Sequence, residues 1–454
     1  MDNKSYRYRS MQFGVTLVEL MISMAISLIV LLALVGLFVN TSRTNAEMAK
    51  TDYLIEDGRV AMQVLNDDLV HSGFWGGYLP RFDDLTFATV PTDVPTAIPD
   101  PCQAYNTWDA AYQLNLLGIA VQSTDTLPVG TGCLSPLTQR ANTDVLIVRH
   151  VDTCVPGVGN CDADVAGKLY FQYPLCEQEK NQTAQSGNFN SITLAAIAAS
   201  TNNAYVGAIV HTTGGSGGGQ YRMITAYDGA SHLATVASNW AVTPDNTTTY
   251  SLDYVLGATA YQLHRRDCTT VAEKRRFVSD IYYVSDVTQN GITVPTLVRS
   301  QLDLLNGTIA HQAPIALVDG IEVFKVVLGI DSTSKTGAAV DYTQAVVWSD
   351  PNNKTTATNR GDGAPDRFVR CTAATPCVIA DLTNVVAVKL YLLARSKETT
   401  PGYTDQKTYC VGEPQPDGTC APGDTAGPFN DHYKRHVFTT SVRLTNVSGR
   451  RDTP

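Results

Sequence analysis

Gly14-Val15-Thr16-Leu17-Val18-Glu19-Leu20 decides how this chain is built, because it opens a run that carries no further charge as far as Val39. Between Leu17 and Val39 only Ser23 and Ser27 interrupt the apolar residues, apart from Glu19 itself. The run is long enough to span a bilayer, which takes about 20 apolar residues. A carboxylate inside hydrocarbon costs about 2.5 to 3.5 kcal/mol on insertion scales, so Glu19 calls for a partner and a purpose. Upstream, Lys4, Arg7 and Arg9 outweigh Asp2, and the positive-inside tendency keeps such a leader cytoplasmic and sends the rest across the membrane. A secretory signal would have a shorter apolar core and a small-residue cleavage site. Here the chain continues Phe38-Val39-Asn40-Thr41. A plain N-terminal anchor satisfies the hydropathy but leaves Gly14 and Glu19 unexplained.

The helical pattern outlasts the apolar run. Met48, Ile55, Met62 and Leu69 recur every seven residues, with Leu54, Ala61 and Leu65 beside them, as on one stripe of an amphipathic helix. No proline occurs before Pro80, so one helix from Val15 to about His71 is expected, roughly 85 Å long. Gly36 and Gly58 are its expected soft points, and Ser23 and Ser27, one turn apart, suit close helix packing.

After His71-Ser72-Gly73 the composition turns to Thr, Asn, Asp, Gly, Pro and Tyr, with short β-patterned runs between turn signals. Strands are expected over Thr143–Val151, Lys168–Tyr173, Thr259–Arg265, Phe277–Ser285, Thr296–Asp303, Ile315–Ile330, Leu382–Arg395 and Arg435–Val447. The run Val385–Leu393 is apolar on both faces and reads as a central strand, whereas Val437–Leu444 has two unlike faces. Gly214–Gly219 and Asp350–Asp366 read as exposed loops. The expected class is α+β: a long hydrophobic and then amphipathic N-terminal helix carrying a large β-rich domain with antiparallel sheet. The expected divisions are a leader at 1–14, a membrane or filament-core helix at 15–39, its amphipathic continuation at 40–72, and an exported domain at 73–454 with room for two lobes.

All ten cysteines lie in the exported part, and an even count in an oxidising compartment points to as many as five disulfides that stabilise the domain. Sequence does not fix the connectivity. Proximity favours Cys154–Cys161, Cys371–Cys377 and Cys410–Cys420; Cys102–Cys133 and Cys176–Cys268 would then be left. Zinc would need tighter pairs, so no metal is expected.

Catalytic signatures are missing. Gly214-Gly215-Ser216-Gly217-Gly218 matches G-x-S-x-G in letters only, without a strand-to-helix context. Asp350, Asp362 and Asp366 do not have the spacing of a calcium loop. His71 reads as a packing or surface residue. The formal charge of −10 argues against a general affinity for nucleic acid, and the clusters Lys274-Arg275-Arg276 and Arg450-Arg451 read as solvated faces. No cofactor is implied and no enzyme is expected.

Glycine, a hydrophobic residue, then T-L-V-E-L and a long apolar helix resemble the class III leader of type IV pilins. The resemblance implies that a prepilin peptidase cuts between Gly14 and Val15 and that Val15 becomes an N-methylated terminus. Val15 departs from the phenylalanine usual there. Assembly then falls to Thr16, Leu17 and above all Glu19, whose carboxylate would pair with the terminal amine of a neighbouring subunit. The alternative is an intramolecular partner, Thr16 or the chain's own amine. Gly58-Arg59-Val60-Ala61-Met62, Leu65-Asn66-Asp67-Asp68-Leu69 and Ser72-Gly73-Phe74-Trp75-Gly76 resemble the helix end of PilW-type minor pilins. Leu317-Val318-Asp319-Gly320-Ile321-Glu322 with Val326–Asp331, the strand Val385–Arg395, and Val437–Val442 with Leu444-Thr445-Asn446 resemble them too. The stretch 91–253 is less recognisable.

That resemblance implies an inner-membrane protein with a periplasmic domain, later carried into a pilus, and partners among minor pilins, the major pilin and a tip adhesin. It also implies a part in twitching motility and adhesion. Size agrees with a low-copy role. About 380 residues have a radius of gyration near 21 Å, whereas packed helices sit about 8–10 Å apart, so every subunit could not carry such a domain. Two alternatives stand beside it: a minor pseudopilin of a type II secretion system, and a membrane-anchored periplasmic hydrolase. The second lacks a catalytic constellation.

Overall fold

The computed structural model describes residues 14–127, 131–258, 261–289, 291–415, 417–421 and 423–452. The chain divides into two compact units, with the boundary between Tyr53 and Leu54. Helix α1 is helical from Leu17 to His71. In the first unit every large apolar side chain from Val15 to Val39 is between 46% and 74% exposed. A helix that is apolar all round and touches nothing belongs in lipid or among other helices. Among the described residues α1 alone is long and apolar enough to cross a membrane.

In the second unit the helix becomes one wall of a core. Leu54, Gly58, Ala61, Leu65 and Leu69 are buried, at the spacing of one helical face. Met48 and Ile55, expected on that face, are 60% and 46% exposed. The stripe that docks is therefore the expected one narrowed to Leu54, Ala61, Leu65 and Leu69, with Gly58 between them, and burial of Leu65 and Leu69, worth about 2 kcal/mol each, fixes the rotation. Gly58 is not a soft point: its Cα lies under the Phe438 ring, which a β-carbon would overlap.

All strand pairings are antiparallel. Four strands form a sheet in the order Arg367–Val369, Ile321–Ile330, Val385–Arg395 and Arg435–Arg443. Val385–Arg395 is interior to it and buried along almost its whole length, whereas Arg435–Arg443 is an edge strand with one exposed face. A second, fourteen-stranded sheet among the described residues is built on the long hairpin Lys274–Gln289 and Ile292–Leu305. Its path runs outward through Tyr170–Gln172, Thr249–Gly257, Ala208–Gly214, Tyr221–Asp228 and Leu233–Val236. One apolar cluster includes Leu65 and Leu69 of α1, Leu146 and Val284 of the large sheet, and Phe324 and Leu390 of the small one.

Several expected strands are shorter or broken. Ile315–Ile330 is two strands, Ile315–Asp319 in the large sheet and Ile321–Ile330 in the small one. Gly320, at φ +83°, makes the handover with its N–H on Pro295 O, where a β-carbon would meet Arg395 O. Leu382 and Thr383 end the short helix Ile379–Thr383, and Thr445–Arg451 is a helix rather than the end of a strand. Thr259–Arg265 is not a strand where described; the strand there is Thr249–Gly257, and residues 259 and 260 lie outside the described residues. The loop 350–366 is only partly exposed, since Arg360 is buried and donates to Asp341 O and Gln344 O.

Candidate assembly site

At the start of α1 the chain caps itself. Glu19 Oε2 accepts from Thr16 N–H and Thr16 Oγ1, both at 3.0 Å, and Glu19 N–H donates to Thr16 Oγ1 at 3.3 Å. Leu20 N–H reaches Thr16 O at 3.0 Å, which begins the helical ladder. This is the reciprocal capping box of a T-x-x-E start, and the negative charge also suits the positive end of the helix dipole. Glu19 Oε1 has no hydrogen-bond partner among the described residues. Val15 and Leu17 are 72% and 74% exposed beside it, and a β-carbon on Gly14 would meet nothing within 4 Å. The basic leader residues Lys4, Arg7 and Arg9 lie outside the described residues. Ser23 and Ser27 donate to Leu20 O and Ser23 O in their own helix, so their hydroxyls are satisfied without a neighbour.

The geometry therefore presents one carboxylate with a free oxygen, at the end of an apolar surface, five residues after Gly14. Such a group can accept a cationic donor from a second molecule in a weakly screened medium. Residues 9–35 match the model of the prokaryotic N-terminal methylation motif. Residues 281–446 match the model described as Type IV Pilus-assembly protein W. Together with the long apolar helix, these two matches support a type IV pilin-like chain of the PilW type. The PilW match covers the long hairpin from Ile281 onward and all four strands of the small sheet, so the matched part includes the surface on which α1 docks. Among solved structures, a type IV-like pilin from Thermus thermophilus is similar over 38% of this chain and 66% of its own chain, at 16% identity and a TM-score of 0.19. This chain thus spans just under two thirds of that structure's length. No curated protein matches it.

Behind the docked half of α1 lies a polar cluster that sequence reading missed. His150 Nε2 is 2.8 Å from Asp68 Oδ1, and the His150 and His71 rings are 5.8 Å apart. Burial works against a charged His150, but the bond and charge of Asp68 outweigh it and raise its pKa. Burial, and then the Asp68 carboxylate, push Asp280 up to about 7, against Arg299 with Nη1 at 3.5 Å. Asp68 Oδ2 and Asp280 Oδ1 are buried and have no partner among the described residues. His71 Nδ1 lies 2.6 Å from Asp67 O.

The cysteines pair as Cys102–Cys133, Cys154–Cys161, Cys176–Cys268, Cys371–Cys377 and Cys410–Cys420. The basic clusters are not solvated faces. Arg451 is buried, with Nε 2.8 Å from Asp83 Oδ1, Nη1 3.2 Å from Asp331 Oδ2 and 2.8 Å from Asn384 Oδ1. Lys274 lies over the Tyr261 ring and pairs with Asp164 at 2.7 Å. A buried arginine must be matched in this way or lose its hydration uncompensated. Asp350, Asp362 and Asp366 serve separate turns, accepting from Asn352, Ala364 and Ser332 respectively. Ser216 donates to Thr243 O within its glycine loop.

Proposed function

We propose that this minor pilin enters a type IV pilus through its own N-terminus, after cleavage between Gly14 and Val15 and methylation of Val15. Glu19 then accepts the terminal amine of the adjoining pilin. The observation that carries this reading is the free Glu19 Oε1 at the end of an exposed apolar helix. The size of the exported domain supports a low-copy position near the pilus tip, in a complex that primes assembly and supports twitching and adhesion. Its partners would be other minor pilins, the major pilin, a tip adhesin and the prepilin peptidase, and its route would begin in the inner membrane with the domain periplasmic.

The capping role and the pairing role of Glu19 separate in one experiment. Glutamine keeps a side-chain oxygen for Thr16 N–H but has no charge for an amine. Glu19→Gln should therefore reduce the amount in sheared filaments nearly as far as Glu19→Ala, while the level in membranes stays unchanged. Incorporation of Glu19→Gln at the parent level would leave Glu19 as a helix cap and end the pairing proposal. Intact-mass analysis of the filament form checks the other half: it should begin at a methylated Val15.

A further inference from the structure

The unit from Leu54 onward contains a groove of about 940 Å3 between the segment 77–92 and the strands Ala208–Gly214 and Thr249–Gly257. Its floor is a set of charges that answer each other. Arg81 Nη2 is 2.8 Å from Asp253 Oδ1, its Nη1 is 3.2 Å from Oδ2, and Nη1 donates to Tyr221 OH at 2.9 Å. Asp93, buried behind, takes the backbone N–H of Arg81 at 2.6 Å and of Phe82 at 3.0 Å. His211 stacks on Tyr221 with ring centroids 4.0 Å apart. Burial, and then Arg81, hold His211 neutral by lowering its pKa to about 2.

At the rim one cation and one anion remain. Lys180 faces Glu177 at 3.8 Å, and Asp84 accepts from Thr86 N–H and Oγ1 at 2.8 and 2.6 Å. A ligand with a net charge of either sign gains no surplus partner here and loses its hydration. What the groove does offer is uncharged. The Tyr78 hydroxyl and the Asn181 amide nitrogen line it and have no hydrogen-bond partner among the described residues. The Phe87 and Tyr173 rings line it as well, and Phe87 is held by Arg81 at 5.7 Å. The volume is in the range of small-ligand sites, about 300–1,000 Å3.

We propose that this groove binds a short, uncharged oligosaccharide. Sugar rings combine what the lining supplies: hydroxyls for Tyr78 and Asn181, and flat C–H faces for aromatic rings. A purely apolar ligand would strand those polar groups. The inference does not rest on the reading of Glu19 and stands or falls on the isolated chain.

The test uses the full chain in lauryldimethylamine oxide, a detergent without a sugar headgroup, titrated with maltotriose, cellotriose, chitotriose and, as the acidic control, trigalacturonate. At least one neutral trisaccharide should bind, and which one separates α-glucan, β-glucan and amino-sugar sources. Tyr78→Phe, which keeps the ring packed on Phe171 and Tyr254, should weaken binding about fivefold, the weight of one hydrogen bond. Phe87→Ala, at a half-buried position, should weaken it by about tenfold or more, with a cooperative thermal transition retained. The proposal is overturned by no binding of any neutral trisaccharide at about 10 mM. Tighter binding of trigalacturonate, or parent affinity in both variants, would overturn it equally.

Discussion

A carboxylate in the first turn of a helix is favoured by the dipole and by the amide it caps, so Glu19 has a local reason to be there before any partner arrives. The T-x-x-E spacing that produces this cap is written in the sequence; the oxygen left over is visible only in three dimensions. The cluster of Asp68, His150 and Asp280 is the opposite case. Its members come from α1 and two strands, and no local pattern joins residues 82 positions apart. It makes a prediction about pH. Asp280 has a folded pKa of about 7 against about 3.9 when unfolded, so the folded state binds the extra proton between those values. Its contribution is complete below about pH 4 and is lost as pH rises through 7. His150, also raised, acts in the same direction, losing its contribution as pH rises through its folded value. Arg299, Tyr282 and His71 face the same cluster. The full chain should therefore lose about 2 to 3 kcal/mol from Asp280 between pH 5 and pH 8, a fall in Tm of roughly 3 °C for a unit of this size. Asp280→Asn should flatten that slope by the same amount, as read by thermal melting at the two pH values. An equal slope in the variant would show that Asp280 does not titrate in this window.

Where α1 meets the small sheet, the contact depends on what is missing. Gly58 has no side chain, and the Phe438 ring of the edge strand occupies the space over its Cα. Alanine is worth about 1 kcal/mol more than glycine in a helix interior, yet here its methyl must displace an aromatic ring, and overpacking costs about 1–3 kcal/mol. Gly58→Ala should destabilise the chain, and adding Phe438→Ala should recover the helix preference. A double-mutant cycle in urea should show a coupling of about 1–2 kcal/mol. Independent, additive effects would mean that the ring swings aside freely. The same contact shows where sequence reading stops. Helix period and the two apolar faces of Val385–Leu393 made α1 and the central strand legible, because each pattern is carried by the residues that bury it. Leu54, Ala61, Leu65 and Leu69 lie on the expected stripe, but its limits were not legible, since Met48 and Ile55 are as apolar as the residues that dock. The strands Ala208–Gly214, Tyr221–Asp228 and Thr249–Gly257 carry Thr, His, Tyr and Asp on buried positions, which conceals the alternation.

Across the unit from Leu54 onward, stability is shared between one large apolar cluster with smaller satellites and covalent or ionic ties between distant parts of the chain. Arg451, near the end of the described chain, joins Asp83 from the segment after α1 to Asp331 just past the strand Ile321–Ile330, so three distant segments are fastened at one buried guanidinium. The disulfides act on a different reference, the unfolded chain, and their separations differ widely: 92 residues for Cys176–Cys268 but only 7 for Cys154–Cys161. In the chain-entropy account a cross-link stabilises by removing unfolded conformations, and the effect grows with the logarithm of the loop. Replacing both cysteines by serine should then cost about 4.5 kcal/mol for the long loop and about 2.5 kcal/mol for the short one. Burial points the same way, since Cys176 is 2% exposed and a serine there would place a hydroxyl in the core. The measurement is the urea midpoint of the two double variants against the parent, in detergent and without reductant. The long-loop variant should lose nearly twice as much stability, and an equal or reversed order would mean that residual structure in the unfolded chain already holds Cys176 near Cys268.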